Sequence, residues 1–158
     1  MTSAVIDFEG FQLSSELFVV KELAVCAVND DSFRGRWLFK PPHCFDQLPK
    51  PKQCTYSWVT KNIHKIKWES GELPYFYFRY VLDVMMGMFT YIYVKGLQKK
   101  KFFHFLTGRD ILNLDDFKCP KVNDLYSSDV LCPFSHEKNF NHCAVYKARV
   151  YGKFLETV

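Results

Sequence analysis

Two acidic residues, one position apart, interrupt the first apolar run of the chain. In "AVIDFEGFQ", residues 4–12, side chains alternate between the faces of a strand, so Asp7 and Glu9 share a face with Val5. Neighbouring carboxylates repel each other, and a covered face would need a cation opposite them. The pair therefore predicts either a cation at this face or an edge strand whose acids face water.

Thiol and imidazole side chains cluster near the other end of the chain. The segment "CPFSHEKNFNHC" contains Cys132, His136 and Cys143. Thiolate and imidazole are the ligands that zinc prefers, and three of them this close in sequence can reach one tetrahedral ion. The alternative is that the cysteines pack as small hydrophobes while the histidine is solvated. We predict one structural zinc ion, with a fourth ligand from elsewhere in the chain.

Basic side chains concentrate in the second half of the chain. Lys99, Lys100 and Lys101, with Lys95 and Arg109 nearby, are cations of the kind that contact nucleic-acid phosphates. The same lysines are also typical of the solvated face of an amphipathic helix. The net charge of +4 is too small to establish nucleic-acid binding by itself. These five residues are therefore candidates for an exposed nucleic-acid-binding patch.

An aromatic run, "YFYFRY", occupies residues 75–80. It has too many rings for one buried helix face, so some of them could form a stacking platform or a partner surface. Burial of most of the rings in the core is the alternative that we favour.

Length and composition favour one domain over residues 1–158. A chain with 48% hydrophobic residues can close one substantial core, whereas two domains would be cramped. The sequence has no apolar run near the ~20 residues that span a bilayer and no signal-peptide pattern. We therefore expect no membrane contact and an intracellular protein of the cytoplasm or nucleus. Six cysteines in that setting predict free thiols or metal ligands rather than disulfides.

Hydrophobic periodicity and turn residues predict an α/β order of elements with a mixed sheet. The predicted strands are 4–12, 17–28, 32–40, 88–96 and 109–116. The predicted helices are 55–66, 73–88, 97–108 and 142–158. The segments 41–54 and 119–141 are predicted loops, because proline and other turn residues interrupt them.

The element order and two motifs resemble the DnaQ-like (DEDDh) exonucleases of the ribonuclease H-like fold. Asp7-x-Glu9 is similar to the Asp-x-Glu of the family's first strand, and "HCAVYKA", residues 142–148, is similar to its His-x-Ala-x-x-Asp-Ala. The resemblance implies a mixed five-stranded sheet flanked by helices. It also implies two divalent metals held by four carboxylates, with His142 in the position of the general base.

The chain departs from this pattern where the metals would bind. Lys147 stands at the position of the last acid, and a protonated lysine has no lone pair for a metal. No Asp or Glu occurs from Val84 to Arg109, where the middle acid is expected. We therefore predict that the hydrolytic site is lost, that Mg²⁺ and Mn²⁺ do not bind, and that Asp7, Glu9 and His142 are vestigial.

The combination Glu9, Cys132, His136 and Cys143 resembles the Glu-Cys-His-Cys zinc set of the Maelstrom domain. This likeness implies a noncatalytic, zinc-stabilised adaptor that binds single-stranded RNA or a protein partner in RNA silencing or RNA processing. One alternative is an active metal-dependent nuclease, with 3′–5′ exonuclease or endonuclease activity on single-stranded nucleic acid, which would have to recruit other acids. These acids are Asp83, Asp110, Asp115 and Asp116. The other alternative is a structural interaction module with no nucleic-acid role.

Overall fold

Helices flank both faces of a five-stranded mixed sheet in the computed structural model, which describes residues 2–15, 17–30, 33–125 and 142–158. The strands are β1 (Ser3–Gln12), β2 (Phe18–Ala27), β3 (Arg34–Leu38), β4 (Tyr91–Val94) and β5 (Leu112–Asn113). The helices are α1 (Lys50–Val59), α2 (Tyr77–Gly87), α3 (Leu97–Thr107) and α4 (Ala144–Glu156). The predicted α/β class with a mixed five-stranded sheet is confirmed at this level. In the described ranges, no helix has the length and apolar character needed to cross a membrane.

The strand order β3-β2-β1-β4-β5 leaves the second half of β1 beyond its parallel neighbour. β1 pairs with β2, and β2 with β3, in antiparallel fashion, whereas β4 is parallel to both β1 and β5. The pairing of β1 with β4 runs only from Ser3 to Val5. Asp7 and Glu9 therefore lie past the carboxyl end of β4, the edge at which open α/β sheets commonly hold their sites.

The sheet separates two layers of buried apolar side chains. One face carries Ala4, Ile6 and Phe8 of β1, which pack against α2 and α3. The other face carries Val5 and Ala24, which pack against α4. By the same alternation, the two acids of β1 belong to the face that α4 covers.

A bulge in the β1–β2 pairing follows Glu9. Lys21 is the extra residue of β2 there, and a Cβ on Gly10 would lie 2.0 Å from a carbonyl oxygen of β2, so glycine is required. The buried Lys21 ammonium donates to the carbonyl oxygens of Trp68, at 2.7 Å, and Ser70. Burial lowers the pKa of Lys21 to about 8, against the opposing charge of Glu69.

Three predicted boundaries were wrong for identifiable reasons. α1 begins at Lys50, inside the predicted loop 41–54, because Pro51 occupies the first turn, where its missing N–H costs nothing. The helix predicted over 73–88 begins only at Tyr77, after Pro74. The last predicted strand shortens to two residues because a 3₁₀ turn, Leu114–Phe117, follows immediately.

Candidate functional site

Four side chains meet beyond the carboxyl end of β4, and we call them the carboxylate–lysine cluster: Asp7, Glu9, Lys99 and Lys147. The two acids are buried on β1. Lys99 belongs to the first turn of α3, and Lys147 to the first turn of α4. Two helices that begin at the same end of the sheet thus bring their lysines to the two acids.

Each acid of the carboxylate–lysine cluster has a lysine partner. Lys147 Nζ donates to Glu9 Oε1 at 2.8 Å and lies 3.0 Å from Asp7 Oδ2. The second contact is an ion pair whose geometry leaves Oδ2 without a hydrogen bond in the described ranges. Lys99 Nζ donates to Asp7 Oδ1 and, at 3.1 Å, to the carbonyl oxygen of Phe8. The predicted cation opposite the two acids is therefore present, and it is supplied by lysine.

Burial and charge act in opposite directions on these groups. Burial alone would raise the pKa of Asp7, but the charges of Lys147 and Lys99 lower it below its ordinary value. Burial alone would lower the pKa of Lys147, but the charges of Asp7 and Glu9 raise it above its ordinary value. For Lys99, burial outweighs the attraction of Asp7, and its pKa is lowered. The directions for Asp7 and Lys147 are those of a carboxylate and an ammonium group that stabilise each other's charge.

A third acid, Glu22 of β2, extends this polar layer and was missed at the level of sequence. It lies opposite Glu9 in the strand register and is fully buried. Arg36 Nε donates to Glu22 Oε2 at 2.9 Å, and the backbone N–H of Ala144 donates to Glu22 Oε1 at 3.2 Å. A carboxylate at the first residue of α4 complements the positive end of the helix dipole. The signal in the sequence was the adjacent Lys21–Glu22 pair within an otherwise apolar strand.

The first residues of α4 also place two predicted site residues. Cys143 is buried and caps the helix, because its Sγ accepts a hydrogen bond from the backbone N–H of Tyr146 at 3.5 Å. His142, the vestigial general base of the resemblance, is partly exposed and immediately precedes this cap.

The carboxylate–lysine cluster does not fit the two-metal arrangement that the resemblance implies. Divalent ions bind carboxylate lone pairs directly. Here both oxygens of Asp7 and one oxygen of Glu9 lie at hydrogen-bonding or ion-pair distance from ammonium groups. A divalent ion at the same oxygens would also be repelled by Lys147. The arrangement is chemically suited to holding β1, α3 and α4 together.

The zinc prediction extends beyond the described ranges. Glu9 lies on the face of the sheet that α4 covers, and Cys143 is the N-cap of α4 and is buried in the apolar layer at that face. Cys132 and His136 lie outside the described residues. Because Lys147 binds Oε1 of Glu9, a zinc ion at this residue would have to bind Oε2. Zinc-bound carboxylates commonly accept such an outer hydrogen bond. Within the described ranges, no group of three or more His, Cys, Asp or Glu is arranged for a metal, and zinc binding stays a prediction.

The prediction that Lys99, Lys100 and Lys101 form one exposed patch is wrong. Lys99 turns toward the negative charge of Asp7, and of these three lysines only Lys101 is exposed, with Lys100 partly buried. Lys95 forms an ion pair with the carboxylate of Asp115.

Arg109, the fifth candidate for phosphate contact, is also held within the chain. Its guanidinium donates to the backbone carbonyl oxygens of Met86, Phe89 and, at 3.0 Å, Thr90. Three of the five predicted nucleic-acid-binding cations thus have partners inside the chain. Nucleic-acid binding itself stays a prediction.

Comparison with protein-family models and with curated proteins finds no match for this chain. Its class therefore rests on the fold and the site: an α/β domain with a mixed sheet and a buried carboxylate–lysine cluster at the end of the parallel strands.

Proposed function

We propose that this chain is a noncatalytic ribonuclease H-like domain of the DnaQ type, related in character to the Maelstrom domain and stabilised by one structural zinc ion. It acts as an adaptor that binds a protein partner or single-stranded RNA in an RNA-silencing or RNA-processing complex. The single observation that carries the proposal is the pairing of Lys147 with Asp7 and Glu9.

The chemistry of Lys147 supports the loss of hydrolysis. In a two-metal site, the carboxylates bind cations that activate water and stabilise the leaving oxygen. An ammonium group neutralises the same carboxylates but cannot ligate a water molecule, since its three hydrogens are only donors. With the pKa of Lys147 raised, this group stays charged throughout the physiological range. The acids then serve to hold the fold.

The positions of the remaining acids weigh against the nuclease alternative. Asp83 pairs with Arg79 on α2, and Asp115 pairs with Lys95 beyond β4. Asp115 is nevertheless the best-placed of these acids for a nuclease site, because it follows β5 at the same end of the sheet as Asp7.

The test is a nuclease assay with single-stranded DNA and RNA labelled at the 5′ end, with Mg²⁺ or Mn²⁺ present. We expect no shortening from the 3′ end by the wild-type chain. Asp7→Ala and Asp115→Ala chains, purified in parallel, identify the source of any cleavage. Shortening that either variant abolishes would overturn the proposal. Shortening that survives both is assigned to a contaminant only if Asp83→Ala, Asp110→Ala and Asp116→Ala chains also retain it, and its loss in any of these variants would overturn the proposal as well.

The intramolecular contacts of Lys95, Lys99 and Arg109 favour a protein over RNA as the main partner. Phosphate contacts need mobile cations at the surface. Of the five candidates, Lys100 and Lys101 remain for that task.

A further inference from the structure

α2 has an apolar face on each side. Its inner face buries Phe78, Leu82 and Met86 at four-residue spacing. On the outer side, exposed apolar side chains recur every four residues from Phe76 to Met88, and Tyr77 lies beside Phe76. We call this outer set the α2 stripe: Phe76, Tyr77, Tyr80, Val84 and Met88.

The α2 stripe is large for the surface of a monomer. Phe76 is 75% exposed and Tyr80 is 67% exposed. With typical side-chain areas, the five residues present about 500 Å² of apolar surface, near the upper end for a monomeric protein. The rings of Phe76 and Tyr77 pack on each other with centroids 4.4 Å apart, so these two side chains form one continuous apolar surface. Surfaces of this kind commonly mark a site of protein association.

Charged residues along one edge of the α2 stripe indicate its partner. Arg79 and Asp83 are both half-exposed and form an ion pair, with Nε 3.1 Å from Oδ1. In an antiparallel pair of helices, the same edge of each stripe faces its copy. Arg79 of one chain then meets Asp83 of the second copy, and the contact occurs twice around the two-fold axis. The charged edge of the stripe is therefore complementary to the same edge of a second copy.

We propose that two copies of this chain associate through their α2 stripes, with the two α2 helices antiparallel. Two stripes would bury about 1,000 Å² in total, which is the lower limit for a specific interface. The dimer is therefore reversible and depends on concentration. None of the four residues of the carboxylate–lysine cluster lies on α2, so the dimer does not depend on the proposed function.

The first test measures the mass of the full chain across a concentration series by analytical ultracentrifugation. We expect the weight-average mass to rise from 18.7 kDa toward twice that value. Tyr80→Ser and Phe76→Ser should each weaken association about tenfold or more, as truncation of central aromatic anchors does. Phe105→Ser on α3 is the matched control, since Phe105 is 72% exposed but lies off the stripe. Thermal unfolding verifies that each variant is folded.

The second test exchanges the charges. Arg79→Asp and Asp83→Arg each place like charges across the two-fold axis and should weaken self-association about tenfold. An equimolar mixture of the two variants should form a heterodimer, and the double exchange Arg79→Asp/Asp83→Arg should restore the homodimer.

Three results would overturn the proposal. One is a monomer at every concentration, which would leave the stripe to a different protein. The second is association that Phe105→Ser weakens as much as Tyr80→Ser. The third is a dimer that depends on the stripe but not on the charge exchanges, which would exclude the antiparallel arrangement.

Discussion

The side chain of Lys147 determines what the end of β1 can hold. Its ammonium lies 2.8 Å from one carboxylate and 3.0 Å from another, and its side chain is only 11% exposed. An acid at this position would add a third negative charge to the same space and demand metal ions. A lysine removes that demand and neutralises charge that would otherwise destabilise the folded chain.

Replacement of Lys147 by methionine removes the charge but keeps a long, unbranched side chain. We expect Lys147→Met to lower the free energy of unfolding by about 3–5 kcal/mol, because two buried carboxylates lose their shared partner. Lys101→Met, at an exposed position of α3, should change it by less than about 0.5 kcal/mol. Urea unfolding at pH 7 measures both, and a Lys147→Met chain as stable as the wild type would contradict the assignment.

The pH dependence of that loss distinguishes charge pairing from packing. The pKa of Asp7 is lowered in the folded chain, so its contribution to stability is present above the unfolded value of 3.8 and is lost as pH falls through the folded pKa. The pKa of Lys147 is raised, so its contribution is present below 10.5 and is lost as pH rises through the folded pKa. The cost of Lys147→Met should therefore shrink below about pH 4, whereas a packing defect would cost the same at every pH.

At the scale of elements, local patterns predicted the element types but not where each side chain would point. Alternation in β1 placed Asp7 and Glu9 on one face but left open whether that face is covered, and the structure shows that both acids are buried there. The contact between Lys99 and Asp7 joins residues 92 positions apart, and no local pattern reports it. Glu22 escaped notice for the same reason, since its partner Arg36 is on the next strand. The spacing of apolar residues in α3 placed Lys99 on the solvated face of the helix and could not report its contact with Asp7.

α3 offers two lysines for contact with single-stranded RNA. Each phosphate contact on a single strand contributes about −0.7 to the slope of log K against log salt, so Lys100 and Lys101 together give about −1.4. We expect weak binding that does not depend on sequence, and the double change Lys100→Ala/Lys101→Ala should abolish most of this salt dependence. Fluorescence anisotropy measures it, with Lys50→Ala/Lys65→Ala as the exposed control. A much steeper slope would place the binding cations elsewhere.

At the scale of the whole molecule, contacts between β1–β2 and α4 join the two ends of the chain. Lys147 and Glu9 are 138 positions apart, and Ala144 and Glu22 are 122 positions apart. Contacts of such separation are costly in chain entropy to form, so a metal ion that joined the same elements would act mainly on stability. The zinc prediction can therefore be tested through unfolding.

If Glu9, Cys132, His136 and Cys143 bind one zinc ion, metal content and melting temperature must change together, because the unfolded chain has no preformed site. We expect one zinc per chain by elemental analysis, and a lower melting temperature after chelation and in Cys132→Ser. Cys143→Ser is the sharpest variant. Serine is a preferred N-cap residue, so Cys143→Ser preserves the helix cap. If the chain has no zinc site, this change should be tolerated. If Cys143 is a zinc ligand, it should strongly lower the melting temperature. Buried Cys119 gives the control, Cys119→Ser. The zinc site would be refuted if the purified chain contains no zinc and its melting temperature is unchanged both by chelator and by Cys143→Ser.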